Sequence, residues 1–124
     1  MESMEPNPAW DPEANAHVVE AYADLPEDAV VKVWGADWCP DTRNTLPDFA
    51  AALDAAGVGE ERIHQYEVDR DKNGEGTEEY GIELIPTIVV ERDDEELARF
   101  VEEEAVPPAV YLAGQFSDVD LAQA

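Results

Sequence analysis

The sequence predicts an α/β fold with a mixed central sheet covered by helices on both faces. Three observations predict it. A short β-branched run at residues 30–34 leads into a stretch at 46–56 whose apolar residues recur at helical spacing, and residues 62–69 alternate as in a strand. Residues 87–91 and 96–101, separated by a polar turn, are typical of an antiparallel hairpin. The order of these elements fits a mixed sheet, and periodicity alone also allows other α/β layouts.

The first half of the chain contains a predicted helix, strand and helix. A helix over residues 13–23 follows from the helical spacing of its apolar residues. Residues 30–34 are apolar on both faces apart from Lys32, which is the pattern of a central strand covered on both sides. The next helix is expected to run to about Ala56, where Gly57 ends it.

The second half contains a strand, a short helix, the hairpin and a final helix. Residues 69–76 form a charged loop after the strand at 62–69, and 77–80 can make one or two helical turns closed by Gly81. After the hairpin, Pro107 and Pro108 interrupt the pattern. The apolar residues that follow can pack as a final helix; they are Val110, Tyr111, Leu112 and Phe116.

A chain of 124 residues has the length of one domain. We place the domain at residues 13–113, between an N-terminal segment, 1–12, and a C-terminal tail, 114–124. Three prolines lie among acidic residues in the N-terminal segment, which is therefore expected to be extended and flexible, although Trp10 is able to dock on the domain.

The composition is strongly acidic, with 31 aspartate and glutamate residues against 7 lysine and arginine residues and a net charge of −24. Such a surface repels nucleic acid phosphates and anionic membranes, so neither is expected as a partner. The acids are spread over the whole chain, which favours a halophilic cytoplasmic protein over one built for a single basic partner. A signal peptide and an apolar run of about 18 residues are both missing from the sequence, so the cytoplasm is the expected location.

Cys39 is the single cysteine, so an intramolecular disulfide is excluded. It lies where a predicted strand turns into a predicted helix. The first turn of a helix has N–H groups without intrahelical partners and a partial positive charge, and both favour the thiolate, which is the nucleophilic form. A lone cysteine is more often a small buried apolar residue. The flanking Trp38 and Pro40 favour a reactive role instead.

The segment Trp38-Cys39-Pro40-Asp41-Thr42 resembles the Trp-Cys-x-x-Cys loop of the thioredoxin family, with threonine at the second cysteine position. Residues Ile85-Pro86-Thr87 resemble the cis-proline loop that faces the active cysteine in that family, and Pro47 resembles the proline that kinks the active-site helix. The resemblance covers roughly residues 29–102. It implies a thioredoxin-like three-layer α/β/α fold with a mixed central sheet.

The resemblance implies that Cys39 and Thr42 are the catalytic residues. The Cys39 thiolate would attack a disulfide, or a low-molecular-weight thiol bound to a protein, and form a mixed disulfide. Thr42 cannot resolve that adduct as a second cysteine would, so an external thiol is required. Thr42 can instead donate a hydrogen bond to the Cys39 sulfur, or simply begin the helix. Val33 occupies the place of the buried aspartate that serves the second cysteine in many thioredoxins.

Four residues are implied to bind the substrate: Trp38, Pro40, Ile85 and Pro86. A cis peptide bond before Pro86 would leave the backbone of Ile85 open to an extended substrate beside the sulfur. Trp38 would form an apolar lip of the site. Where the family has a glycine that admits the substrate, this chain has Val101 and Glu102, so a broad substrate range is not implied.

Neither a cofactor nor a metal site is expected. His17 and His64 are most simply surface or half-buried residues, and one cysteine does not make a zinc set. The run from Asp69 to Glu75 is similar to the start of an EF-hand loop, but the glutamate required at the twelfth position is replaced by Tyr80. A solvated loop is the preferred interpretation.

The sequence therefore predicts a thioredoxin-like thiol–disulfide oxidoreductase that uses one cysteine, with protein thiols or disulfides and a low-molecular-weight thiol as partners. Whether the protein is an enzyme stays open. One alternative is a binding module that keeps the fold without redox turnover, and another is a redox sensor that dimerises through a Cys39–Cys39 disulfide. Turnover, binding that survives Cys39→Ser, and a peroxide-induced covalent dimer distinguish the three.

Overall fold

The structure is a computed structural model that describes residues 1–71, 73–93, 95–101 and 107–118, without the side chains of 116–118. Its centre is a four-stranded sheet in the order β2-β1-β3-β4. The strands are β1 (Val30–Gly35), β2 (Ile63–Glu67), β3 (Thr87–Arg92) and β4 (Glu95–Val101). All four coincide closely with the predicted strands.

The sheet is mixed, as predicted. Strand β1 pairs with β2 in parallel and with β3 in antiparallel orientation, and β3 and β4 form the antiparallel hairpin. The register of the hairpin shifts between Val90 and Glu91. Asp94, which belongs to the predicted turn of this hairpin, lies outside the described residues. The α/β fold with a mixed central sheet is confirmed.

In the part of the chain that the structure describes, four α-helices accompany the sheet: α1 (Ala16–Ala23), α2 (Pro40–Ala55), α3 (Thr77–Tyr80) and α4 (Pro108–Asp118). Gly81 follows α3 in a left-handed conformation, which glycine adopts without a steric penalty. Helix α4 begins at Pro108 and crosses the boundary drawn after residue 113. In the described residues, no helix has the length and apolar character that crossing a membrane requires.

The two faces of the sheet carry separate apolar cores, because side chains alternate along each strand. Val31, Val33, Ile88 and Val90 point to the larger core, which they share with α1, α2 and α4. The opposite face carries a smaller core around Trp34 and Val89, and the following residues complete it: Ala36, Cys39, Val68, Ile82 and Ile85. Cys39 thus belongs to the smaller core.

The N-terminal segment differs from the expected extended lead-in. Residues Glu2–Met4 form a 3-10 helix against α2, and Ser3 and Met4 are buried. Trp10 packs against the larger core. The segment docks because Glu2, Ser3 and Asn7 make hydrogen bonds to residues far along the chain, Asp37 and Asp48, and no local sequence pattern reveals these partners. Glu102, which was expected near the substrate, lies outside the described residues. So does the end of the tail, residues 119–124.

Candidate active site

Cys39 occupies the junction between β1 and α2. It is the N-cap residue of α2, with an extended backbone (φ −87°, ψ 121°), and Pro40 is the first helical residue. Proline suits this position because its missing N–H would have no intrahelical partner. The Cys39 N–H donates to the Ala36 carbonyl at 3.0 Å, and the Cys39 carbonyl accepts from the Arg43 N–H at 3.1 Å. The loop therefore places the cysteine at the start of the helix, as predicted.

The structure brings three of the expected site residues together. Cys39, with 7% of its surface exposed, and Ile85, with 4% exposed, belong to the same apolar cluster, and Trp38 packs against it. Pro86 is also buried, whereas Pro40 is exposed. The cysteine and the proline loop thus meet on one face of the sheet.

The proline loop presents unused backbone groups. The peptide bond between Ile85 and Pro86 is cis. The Thr87 hydroxyl donates to the Leu84 carbonyl at 2.6 Å, which ties the loop across the proline. Within the described part of the chain, neither the N–H nor the carbonyl of Ile85 has a hydrogen-bond partner. These two groups can pair with an extended chain laid beside the loop.

Thr42 lies beneath the cysteine loop and is fully buried. Its hydroxyl accepts a hydrogen bond from the Ala36 N–H at 3.4 Å, and the described residues show no bond from it to the Cys39 sulfur. A Cβ atom at Gly35 would lie only 3.1 Å from the Thr42 methyl group. Thr42 therefore joins the first turn of α2 to the end of β1, and the glycine makes room for it.

Trp38 is held by one hydrogen bond and one charge contact. Its indole N–H donates to the Val68 carbonyl at 3.2 Å. The Arg70 guanidinium lies 5.1 Å from the centre of the ring, within the range of a cation–π interaction. The half-buried ring is thereby fixed beside Cys39. The contact with Arg70 was not anticipated from the sequence, where Arg70 belongs to a charged loop.

Asp37 is a site residue that the sequence analysis missed. Its carboxylate accepts hydrogen bonds from the N–H groups of Glu2 (3.1 Å) and Ser3 (3.0 Å) and from the Ser3 hydroxyl (2.8 Å). Burial alone would raise the pKa of Asp37, but these bonds and the N-terminal ammonium outweigh it, so the pKa lies below its ordinary value. Its partners lie more than 30 positions away, so no local signal points to them.

A second cluster missed by the sequence analysis joins Lys32, Tyr80 and Glu91. The Lys32 ammonium lies 2.5 Å from the Glu91 carboxylate and donates to the Tyr80 hydroxyl at 2.7 Å, and that hydroxyl donates to Glu91 at 2.9 Å. Burial alone would lower the pKa of Lys32, but the two hydrogen bonds and the carboxylate charge raise it overall. The cluster fastens α3 to the central strands.

The loop that is similar to an EF-hand start is organised internally. One oxygen of the Asp69 carboxylate accepts from the N–H groups of Asp71 and Asn73, both at 2.9 Å. Across the described residues, no group of three or more histidine, cysteine or acidic side chains is arranged to hold a metal ion. Lys72 of this loop lies outside the described residues.

Comparisons with known proteins agree with this architecture. The chain is similar to the germline-specific thioredoxin Deadhead from Drosophila melanogaster, at 20% identity over 86% of this chain and 93% of that chain, with a TM-score of 0.53. It is also similar to a mutant thioredoxin from Halobacterium salinarum NRC-1, at 22% identity over 82% and 80% of the two chains, with a TM-score of 0.50. A Pseudomonas aeruginosa protein of unknown function matches at 24% identity over 90% and 75%, with a TM-score of 0.54.

These structural likenesses show the fold. No curated protein shows significant similarity to the sequence. The sequence model of the family described as Thioredoxin matches residues 13–107, which include the cysteine loop and the proline loop. Membership of that family indicates thiol–disulfide chemistry as the general class of function. The chain belongs to the thioredoxin family.

Proposed function

We propose that the protein is a thiol–disulfide oxidoreductase that works through the single nucleophile Cys39. The observation that carries the proposal is the position of this cysteine at the N-cap of α2, in the same apolar cluster as Ile85 of the proline loop. The N–H groups of the first turn of α2 lack intrahelical partners and can stabilise negative charge on the sulfur. Nothing else in the sequence can supply a second thiol, because Cys39 is the only cysteine.

The reaction is thiol–disulfide exchange in two steps. The Cys39 thiolate attacks one sulfur of a substrate disulfide, a bond forms between the two sulfurs, and the other substrate sulfur leaves as a thiolate that takes a proton from water. A low-molecular-weight thiol then attacks the mixed disulfide as its thiolate, forms a disulfide with the substrate sulfur and releases Cys39. The external thiol supplies the reducing electrons and is oxidised.

The proline loop and the loop tryptophan bind the substrate in this proposal. The unused N–H and carbonyl of Ile85 pair with an extended substrate chain beside the sulfur, as in strand addition to a sheet edge. Trp38 and Pro40 form the apolar rim, and Pro86 shapes the loop. Thr42 has a positioning role, since its hydroxyl accepts a hydrogen bond from the N–H of Ala36, the residue directly after β1.

A second candidate function is a binding module without redox turnover. Two observations favour it: only 7% of the Cys39 surface is exposed, and the second cysteine position holds a threonine with no exposed surface. A module of this kind would use the proline loop alone. A sensor that dimerises through Cys39 is a third candidate, and the low exposure of the sulfur-bearing residue weighs against it.

One experiment separates these functions. Reduction of a small disulfide and of a protein disulfide is measured with excess dithiothreitol at high KCl, for the wild type and for Cys39→Ser. The proposal expects turnover in the wild type and background rates in the variant. Capture of a protein partner that survives Cys39→Ser, without turnover in the wild type, would support the binding module. A peroxide-induced dimer without turnover would support the sensor.

The location and the salt requirement belong to the same proposal. The 31 acidic residues and net charge of −24 are those of a protein adapted to cytoplasm rich in potassium chloride, where counterions screen self-repulsion. Protein thiols or disulfides and a small cytoplasmic thiol are the expected partners. Nucleic acids and anionic membranes are not expected partners, because the charge opposes both.

A further inference from the structure

We propose that Asp37 is a positioning residue for Cys39: it fastens the N-terminal 3-10 helix to the cysteine loop and thereby limits the exposure of the thiol. This inference rests on the proposed function only in taking Cys39 as the reacting group. The segment Glu2–Met4 lies outside the residues that match the family model, 13–107, whereas Asp37 lies within them.

The hydrogen bonds of Asp37 with Glu2 and Ser3 form the joint between the cysteine loop and the N-terminal 3-10 helix. The Asp37 carboxylate accepts three hydrogen bonds, two from main-chain N–H groups and one from the Ser3 hydroxyl, at 2.8–3.1 Å. Hydrogen bonds to a charged acceptor are stronger than those between neutral groups. The Ser3 residue is itself only 5% exposed. The joint is thus a specific contact, partly buried at the two bonds from Ser3 and exposed at the bond from Glu2.

The second step is that Asp37 is held from its backbone as well. The Arg43 guanidinium, one turn into α2, donates to the Asp37 carbonyl at 2.9 Å. Cys39 lies between these two residues, and its N–H is bonded to the Ala36 carbonyl. The loop from Ala36 to Cys39 is therefore clamped between α2 and the N-terminal segment, and release at Asp37 frees one side of it.

The third step is that the segment has its own anchors on α2. The Asn7 N–H donates to the Pro47 carbonyl at 3.0 Å, and the Asn7 side-chain amide donates to Asp48 at 2.8 Å. Met4 is buried in the larger core. The segment is thus attached to the middle of α2 at one end and to the cysteine loop at the other.

The consequence concerns access to the sulfur. In the fastened loop Cys39 is 7% exposed, so loop conformations that depart from it expose the residue more. Loss of the charged joint is expected to raise the population of these conformations, and with it the rate of alkylation, about tenfold. A residue that acted only on overall stability would leave the reactivity of the folded protein unchanged.

The test is the rate of alkylation of Cys39 by iodoacetamide in high KCl, in which the sulfur displaces iodide and forms a carbon–sulfur bond. The variants are Asp37→Asn, Ser3→Ala and the double variant. Asp28→Asn is the matched control, because it makes the same chemical change at the ion pair with Arg92, beyond the other end of β1. We expect faster alkylation in Asp37→Asn, a smaller increase in Ser3→Ala, and a double variant no faster than Asp37→Asn.

Two results would overturn the proposal. One is an alkylation rate in Asp37→Asn equal to or below that of Asp28→Asn. The other is a double variant whose rate increase equals the product of the increases in the two single variants.

A reciprocal measurement uses the wild type and does not depend on the folding of any variant. Alkylation of Cys39 should accelerate hydrogen exchange of the Glu2 and Ser3 amides, because coupling between two sites is mutual. Unchanged exchange would contradict the proposal. Neither measurement uses disulfide turnover, so a protein without oxidoreductase activity still gives a clear answer.

Discussion

The Lys32 ammonium lies 2.5 Å from the Glu91 carboxylate, on the face of the sheet that also carries Trp34 and Cys39. Both side chains are largely shielded, with 18% and 9% of their surfaces exposed. Tyr80 completes the cluster, and its ring lies 4.8 Å from that of Trp34. Since Tyr80 ends α3, just before the chain enters the proline loop, the ion pair helps to hold that loop against the sheet.

Replacing Lys32 by methionine is expected to destabilise the protein. Among the described residues, the change leaves the shielded Glu91 carboxylate with the Tyr80 hydroxyl as its one side-chain partner. Breaking a buried ion pair in this way costs roughly 2–4 kcal/mol when some contact with water remains. Urea denaturation at constant KCl measures the loss. Arg92→Met, which removes the more exposed pair with Asp28, is the control and should cost less than about 1 kcal/mol. Equal losses in the two variants would contradict the prediction.

Thr42→Cys is expected to create a dithiol site. Thr42 begins the buried side of α2 at the second cysteine position, and a cysteine side chain is close to threonine in size. We expect an intramolecular disulfide with Cys39 on oxidation, seen as a mass decrease of two hydrogen atoms, and faster disulfide reduction with dithiothreitol. The control is Thr45→Cys. Thr45 lies further along α2, where its hydroxyl donates to the Asp41 carbonyl one turn earlier in the helix. This variant should neither form the disulfide nor reduce disulfides faster. If Thr42→Cys formed no more disulfide than the control, the loop geometry would not allow a second thiol to resolve a mixed disulfide at Cys39.

The strands, the cysteine junction and the proline loop could be predicted from the sequence, because each depends on the types and spacing of residues that are neighbours in the chain. The β-branched run before Cys39 and the helical spacing after it identify the junction. Gly81 and Pro86 are local signals of the same kind. Such patterns specify the type and order of elements and leave their distant side-chain partners open.

The contacts that complete the site could not be predicted for that reason. Asp37 and Ser3 lie 34 positions apart, and Lys32 and Tyr80 lie 48 apart. In a chain with 31 acidic residues, no local feature distinguishes Asp37 from the others. The expected course of residues 1–12 differed from the structure because prolines and acids predict extension, whereas a three-donor joint to one carboxylate stabilises a docked turn.

Acidification is expected to release the N-terminal segment before the rest of the protein unfolds. The pKa of Asp37 is lower in the folded protein than its ordinary value, so its contribution to docking is complete above about pH 4 and is lost as the pH falls through the folded pKa. The Met1 ammonium also lowers the pKa of this carboxylate, and the Arg43 guanidinium donates to the main-chain carbonyl of the same residue. Hydrogen exchange of the Ser3 amide between pH 5 and 2 measures the release. The acid-dependent change should be absent in Asp37→Asn, and an identical profile in both proteins would contradict the assignment.

Stability is expected to rise with potassium chloride concentration, because 31 acidic residues and 7 basic ones leave a net charge of −24 on a small domain. The repulsion acts over distances that salt screens effectively: the Debye length falls from about 10 Å at 0.1 M to about 3 Å at 1 M. Urea denaturation at several KCl concentrations gives the dependence of the free energy of unfolding on salt. As a control, Glu78→Gln combined with Glu79→Gln removes two exposed charges on α3 and should reduce that dependence. Equal stability in 0.1 M and 2 M KCl would refute adaptation to high salt, since the screened repulsion would then contribute nothing to folding.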